Sequence, residues 1–241
     1  MAERILEVCI DDEIGMMAAY RGGAGRLELC SALSIGGLTP TPGLIAAAVN
    51  LSIPCYAMIR PRDGDFVYSE SEFSMLMREI DMVRRAGVDG VVLGATLPDG
   101  RLDYNLLKIL TGHSEGLGMT LHRAIDLVPD FDEAVEMAIS LGFERILTSG
   151  GKRTAPEGVD VLERAIEVAA GRISIMPGSG VNSETIDVLL PRLKTNEIHG
   201  SCSVSVPVSN PKVIELGFAP TNPKKTDETS VRALKTKIDA L

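Results

Sequence analysis

Eight short apolar segments recur at roughly even spacing along this 241-residue chain, and helix-like segments separate seven of them. That alternation constrains the fold more than any other feature. Strands joined through helices run parallel, because the crossover returns the chain to the same edge of the sheet. Eight such units imply closure into a single-domain α/β architecture, a (β/α)8 TIM-type barrel. The expected strands are 5–11, 26–31, 54–61, 90–95, 119–126, 145–151, 173–180 and 197–202. An open doubly wound sheet would want a glycine-rich dinucleotide fingerprint after the first strand. Gly22, Gly23 and Gly25 instead follow the first helix, so the closed barrel is the better reading.

The intervening segments carry ordinary helix signals. A helix over 12–21 stops at Gly22 and Gly23. A longer one over 71–86 opens with a capping box from Ser69 to Glu72, and Phe73, Leu76, Met77, Ile80 and Val83 form one buried face. The barrel is expected to occupy 1–204. A Pro- and Asn-rich loop and a C-terminal helix, 205–241, would pack on the same domain. Val231, Leu234 and Ile238 form a stripe on that helix, read here as a face for self-association.

Composition excludes several functions. The net charge is −9 and no basic run exceeds Lys224–Lys225, which argues against nucleic acid and anionic membrane as partners. No apolar run reaches the length of a membrane span. The N-terminus leads straight into a strand pattern without an apolar leader segment, and the four cysteines show no CxxC pairing. A cytoplasmic protein with reduced thiols is therefore expected.

Active sites of such barrels sit at the C-terminal ends of the strands, so the informative residues are inward-facing polar ones there. Strand alternation places Glu7, Cys9 and Asp11 in one phase, Glu28 and Cys30 in another, and Arg60 on the third strand. On the fifth strand Thr120, His122, Ala124 and Asp126 share a face, and the eighth offers Glu197, His199 and Ser201. Carboxylates inside a barrel are costly unless paired, and Arg60 with two histidines could satisfy them. Glu7, Glu28, Arg60, His122, Asp126 and His199 are accordingly the catalytic candidates, with a Glu or His as general base and acid.

The glycine-rich ends of strands six to eight suggest a second element. Gly150, Gly178, Ser179, Gly180 and Ser201 could hold an anion through backbone N–H groups. Turns also need glycine for their own geometry, so both readings stand. The enzyme these features imply is an isomerase, epimerase or lyase acting on a small phosphorylated or carboxylated metabolite. A third element is the pair Cys9 and Cys30, at equivalent places on neighbouring strands. They are either small buried hydrophobes or a soft-metal pair suited to Cu(I) or zinc.

The motifs Leu6–Asp11, Arg26–Ser31, Gly36–Pro40, Met58–Arg62, His122–Asp126, Arg145–Gly150, Met176–Gly180 and Glu197–His199, collinear over residues 5–203, resemble the CutC family. That resemblance implies a barrel, a cytoplasmic location, self-association as a dimer or tetramer, and a role in copper homeostasis. It makes Cys9 and Cys30 the copper-ligand candidates, with Cu(I) as the ion. Two departures stand out: Ser179 interrupts a loop that is usually all glycine, and Cys202 with Ser203 replaces a small residue followed by arginine.

Overall fold

The computed structural model describes residues 4–241. Eight strands form the barrel wall: β1 Ile5–Ile10, β2 Arg26–Leu29, β3 Cys55–Met58, β4 Gly90–Leu93, β5 Gly118–Leu121, β6 Arg145–Thr148, β7 Ser174–Pro177 and β8 Glu197–Gly200. The helices between them are α1 Glu13–Gly22, α2 Pro42–Ala48, α3 Glu70–Ala86, α4 Tyr104–His113, α5 Phe131–Ser140, α6 Val159–Ala169 and α7 Ile186–Leu193. Parallel ladders run in the order β7-β6-β5-β4-β3-β2-β1-β8. The remaining seam lies between β7 and β8, where the Thr195 hydroxyl donates to the Ile175 carbonyl at 2.7 Å. The TIM-type barrel expected from the alternation is the fold observed.

Alternation along each strand divides the side chains into two cores. Leu6, Val8, Ile10, Leu27 and Leu29 face outward into the large apolar layer under the helices. The opposite phase faces the lumen, where, among the described residues, Cys30, Tyr56, Met58 and Val92 form a small apolar cluster with Leu33 packed against it. Most of the rest of the lumen, Leu147 and Met176 apart, is polar and charged, and it is nonetheless buried: Glu7, Arg26, Glu28, Arg60, His122, Arg145 and His199 all lie below the surface. The Tyr56 ring fits because Gly90 and Gly118 flank it. A Cβ on either would lie 2.2 or 2.0 Å from the ring or its hydroxyl.

Two expectations need correction. β5 ends at Leu121, and Arg123–Leu127 is a 3-10 helix rather than more strand. The chain turns because His122 caps it: the ring Nδ1 accepts the Ala124 N–H at 3.2 Å. Asp126 therefore does not share a strand face with His122.

The tail is the second correction. It contains a small antiparallel sheet of β9 Ser203–Ser205 and β10 Lys224–Thr226, and a short helix α8 Lys212–Glu215, before α9 Glu228–Ala240. Asp227 caps α9 by accepting the Ser230 N–H. Val231, Leu234 and Ile238 are 0%, 1% and 0% exposed, so the stripe is spent inside the molecule. Gly22 of α1 receives Val231, whose side chain would lie 2.5 Å from a Cβ there. The stripe offers no face for self-association.

Leu234→Ala should accordingly lower the unfolding free energy by about 2–5 kcal/mol, as large-to-small changes in a filled core do. Urea unfolding measures it; a change under about 0.5 kcal/mol would place the residue at the surface.

Candidate functional site

Register builds the site. β1 pairs with β2 and β8, and the ladder sets Glu7 opposite Arg26 on one side and His199 on the other. Paired residues of parallel strands point the same way, so a fully buried carboxylate sits between a guanidinium and an imidazole. Arg26 Nε donates to Glu7 Oε2, and Glu7 Oε1 lies 2.8 Å from His199 Nδ1. Although burial works against the anion, Arg26 and His199 hold the Glu7 carboxyl down at about 2.

Below this triad the barrel floor is a chain of alternating charges. Arg26 also reaches Glu197 at 3.2 Å, Arg145 holds Glu197 at 2.8 Å and Glu144 at 3.0 Å, and both arginines stack near the Tyr56 ring. Arg26 and Arg145 escaped the reading of the sequence. The available signal was their position one strand step below inward-facing residues Glu28 and Leu147, in the same phase.

One step above, the same ladder sets Cys9 opposite Glu28. His199 Nε2 approaches Glu28 Oε2 at 3.8 Å, and ligand atoms of Cys9, Glu28 and His199 all lie within 4.8 Å of one another. Glu28 lacks an arginine of its own. Burial pushes its carboxyl up to about 7; His199 resists, and the Glu7 charge adds to the rise. For His199, burial opposes the charge, but Cys9, Glu28 and Glu7 outweigh it and raise the imidazole well above its ordinary value.

Cys30, the other metal candidate, lies two residues out of register with Cys9. Its sulfur donates to Glu28 Oε2 at 3.6 Å, and burial pushes the thiol well up, so it stays protonated. The compact donor group is thus Cys9, Glu28 and His199, with Cys30 behind Glu28.

These residues form the floor of a cavity of about 610 Å³ that opens at the C-terminal ends of the strands. Arg60, Phe66 and His122 line its other flank. Gly94 makes room for His122, since a Cβ there would come within 2.6 Å of the imidazole. Because Nδ1 accepts from Ala124, the ring proton is assigned to Nε2, and that atom is buried without a partner. Burial, then the Arg60 charge, keeps His122 neutral, down at about 3.

The loop residues divide. Ser179, Gly180 and Ser201 line the cavity, whereas Gly150 and Gly178 do not. The Gly150 N–H donates to Thr148 Oγ1 at 2.9 Å and the Gly178 N–H to the Thr148 carbonyl at 3.0 Å. Asp126 ties down the loop after β6, accepting from the Thr148 hydroxyl and from the N–H groups of Ser149 and Gly151. Ser179 and Cys202, the two departures in the mouth loops, adopt left-handed backbone at φ 69° and 45°. That conformation favours glycine, so a non-glycine residue at either place carries a backbone cost.

The donor set can hold a soft or borderline metal ion. A thiol, an imidazole and a carboxylate converge, the His199 nitrogen away from the cluster is anchored by Glu7, and Glu28 Oε1 is buried without a partner.

Comparison with known proteins adds the lineage. The CutC family model matches residues 4–204. A CutC family protein of Rhizobium meliloti is 57% identical over 100% of this chain and 98% of its own length. One from Agrobacterium fabrum is 52% identical, covering 98% of this chain and 94% of its own. Among solved structures, a candidate copper homeostasis protein CutC from Streptococcus agalactiae superposes with a TM-score of 0.78 at 29% identity, over 82% of this chain and 98% of that one.

The neutral state of His122 has a pH signature. Its folded pKa lies below the unfolded value, so the unfolded chain binds the extra proton between about 6.5 and 3. Stability from this group is fully present above pH 6.5 and lost as pH falls toward 3, by up to about 1.4 kcal/mol per pH unit. His122→Asn keeps a cap acceptor for Ala124 and should flatten that part of the stability–pH curve. Curves that superimpose for the two proteins would contradict a buried neutral His122.

Proposed function

The chain belongs to the CutC family, and on that footing we propose that it binds copper as cargo, in copper homeostasis, at Cys9, Glu28 and His199. The observation that carries this reading is the convergence of their ligand atoms within 4.8 Å of one another at the floor of an open cavity. Cys9 supplies the soft sulfur that Cu(I) prefers, and His199 Nε2 supplies nitrogen once the incoming ion displaces the proton that its acidic neighbours hold there. Glu7 hydrogen-bonds the other ring nitrogen, the arrangement that fixes tautomer and orientation in metal-ligating histidines. The name of the Streptococcus agalactiae relative supports copper as the ion.

The four free cysteines suit a reducing compartment, and a cytoplasmic location is part of the proposal. No helix among the described residues is long and apolar enough to cross a membrane. Self-association as a dimer or tetramer is also part of it, on the family resemblance alone.

Anaerobic Cu(I) competition titration tests the site. Cys9→Ser should weaken Cu(I) about tenfold or more, since it removes the one sulfur in the cluster, and Cys30→Ser should leave affinity within about threefold. Equal losses in the two variants would move the site to a thiol pair. No loss in either would end the copper reading at this site.

A further inference from the structure

The flank of the cavity opposite the metal cluster has its own unmet chemistry. Arg60 is 5% exposed. Its terminal nitrogens donate to the carbonyls of Ile35, Gly37 and Gly64 at 3.0, 3.0 and 2.8 Å. These neutral partners hold the loops in place but do not neutralise the charge. The carboxylates of the surrounding loops and helix are engaged elsewhere: Asp65 and Glu72 pair with Arg62, Glu79 accepts from the Thr39 hydroxyl, and Glu28 faces His199. Arg60 makes no ion pair among the described residues, and its Nε–H is buried without a partner. A buried guanidinium without an anion is costly, and so is a buried donor without an acceptor.

His122 adds a second buried donor from the next strand but one. It is 3% exposed, and its Nε2–H is an unpartnered donor. The Phe66 ring joins the two groups: its centroid lies 5.0 Å from the Arg60 guanidinium carbon and 4.7 Å from the His122 ring centroid. All three side chains line the one cavity.

We propose that this flank binds the carboxylate of a small organic acid, held between the Arg60 Nε–H and the His122 Nε2–H against the Phe66 ring. Two N–H donors and one positive charge match the two oxygens and single charge of a carboxylate. A phosphate would bring a further oxygen and more negative charge than this flank supplies. The rest of the molecule would extend toward the hydroxyls of Ser179 and Ser201 at the mouth, and a cavity of about 610 Å³ suits a metabolite of a few carbons to a dozen. The inference uses no residue of the metal cluster and stands or falls apart from it.

Isothermal titration and thermal shift on the full chain test it, with pyruvate, lactate, succinate and inorganic phosphate as probes. At least one carboxylate should bind and raise the melting temperature, with phosphate inert at the same concentration. His122→Asn retains the cap acceptor and should weaken that carboxylate about tenfold or more, the loss of one charge-assisted hydrogen bond, while its Cu(I) affinity stays at the wild-type value. Imidazole ¹⁵N spectra of the unmutated protein give a readout that no folding defect can confuse. With three histidines in the chain, addition of the carboxylate should move the His122 Nε2 resonance and leave His113 in place. Failure of every carboxylate to bind, binding of phosphate in preference, or an unmoved His122 signal would overturn the proposal. Such a failure beside normal Cu(I) binding would leave the metal reading intact, and carboxylate binding without Cu(I) binding would do the reverse.

Discussion

A carboxylate with no solvent exposure, Glu7, sits at the centre of this barrel, and the rest of the lumen is arranged to tolerate it. Its compensation is written into the ladder: β1 meets Arg26 on one side and His199 on the other at the same height. Arg26 then needs Glu197, Glu197 needs Arg145, and Arg145 finishes on Glu144 and Thr120. Removing one member would strand a charge in a dry interior, at a cost of about 3–5 kcal/mol. The same network fixes His199 so that its Nε2 faces Cys9 and Glu28.

The two lumen histidines show how one cavity acquires two chemistries. His199 is surrounded by Glu7, Glu28 and Cys9 and is held toward its charged form. His122 has only Arg60 for a charged neighbour and is held neutral. One flank therefore gathers anions and a sulfur, which suits a cation. The other gathers a cation and a bare N–H, which suits an anion. Both flanks open on the same space.

Much of this was legible in the sequence, and the gaps have physical causes. Alternation of apolar strands and amphipathic helices is a local property, so the barrel could be read directly. Glu7, Glu28, Arg60, His122 and His199 could be singled out because polar residues in an inward strand phase are conspicuous, and the fold brings all five to one lumen. Register between parallel strands is not local. The repeated pattern at Leu6–Cys9 and Leu27–Cys30 suggests two thiols at equal height, but the strands of a barrel are staggered, and the ladder pairs Cys9 with Glu28. The turn after Leu121 was hidden because the segment through Asp126 has strand-like composition, and the cap that ends the strand is a hydrogen bond from Ala124 to His122. The unpartnered atoms of Arg60 and His122 are properties of packing, which no one-dimensional pattern displays.

The proposed copper site is a mixed sulfur, nitrogen and oxygen one, resting on the ladder that seats Glu7 between Arg26 and His199. X-ray absorption of the Cu(I)-loaded protein at the copper edge reads that first shell directly. One sulfur neighbour together with lighter nitrogen or oxygen neighbours is expected, unchanged in Cys30→Ser. A shell of two sulfurs that collapses in Cys30→Ser would contradict it.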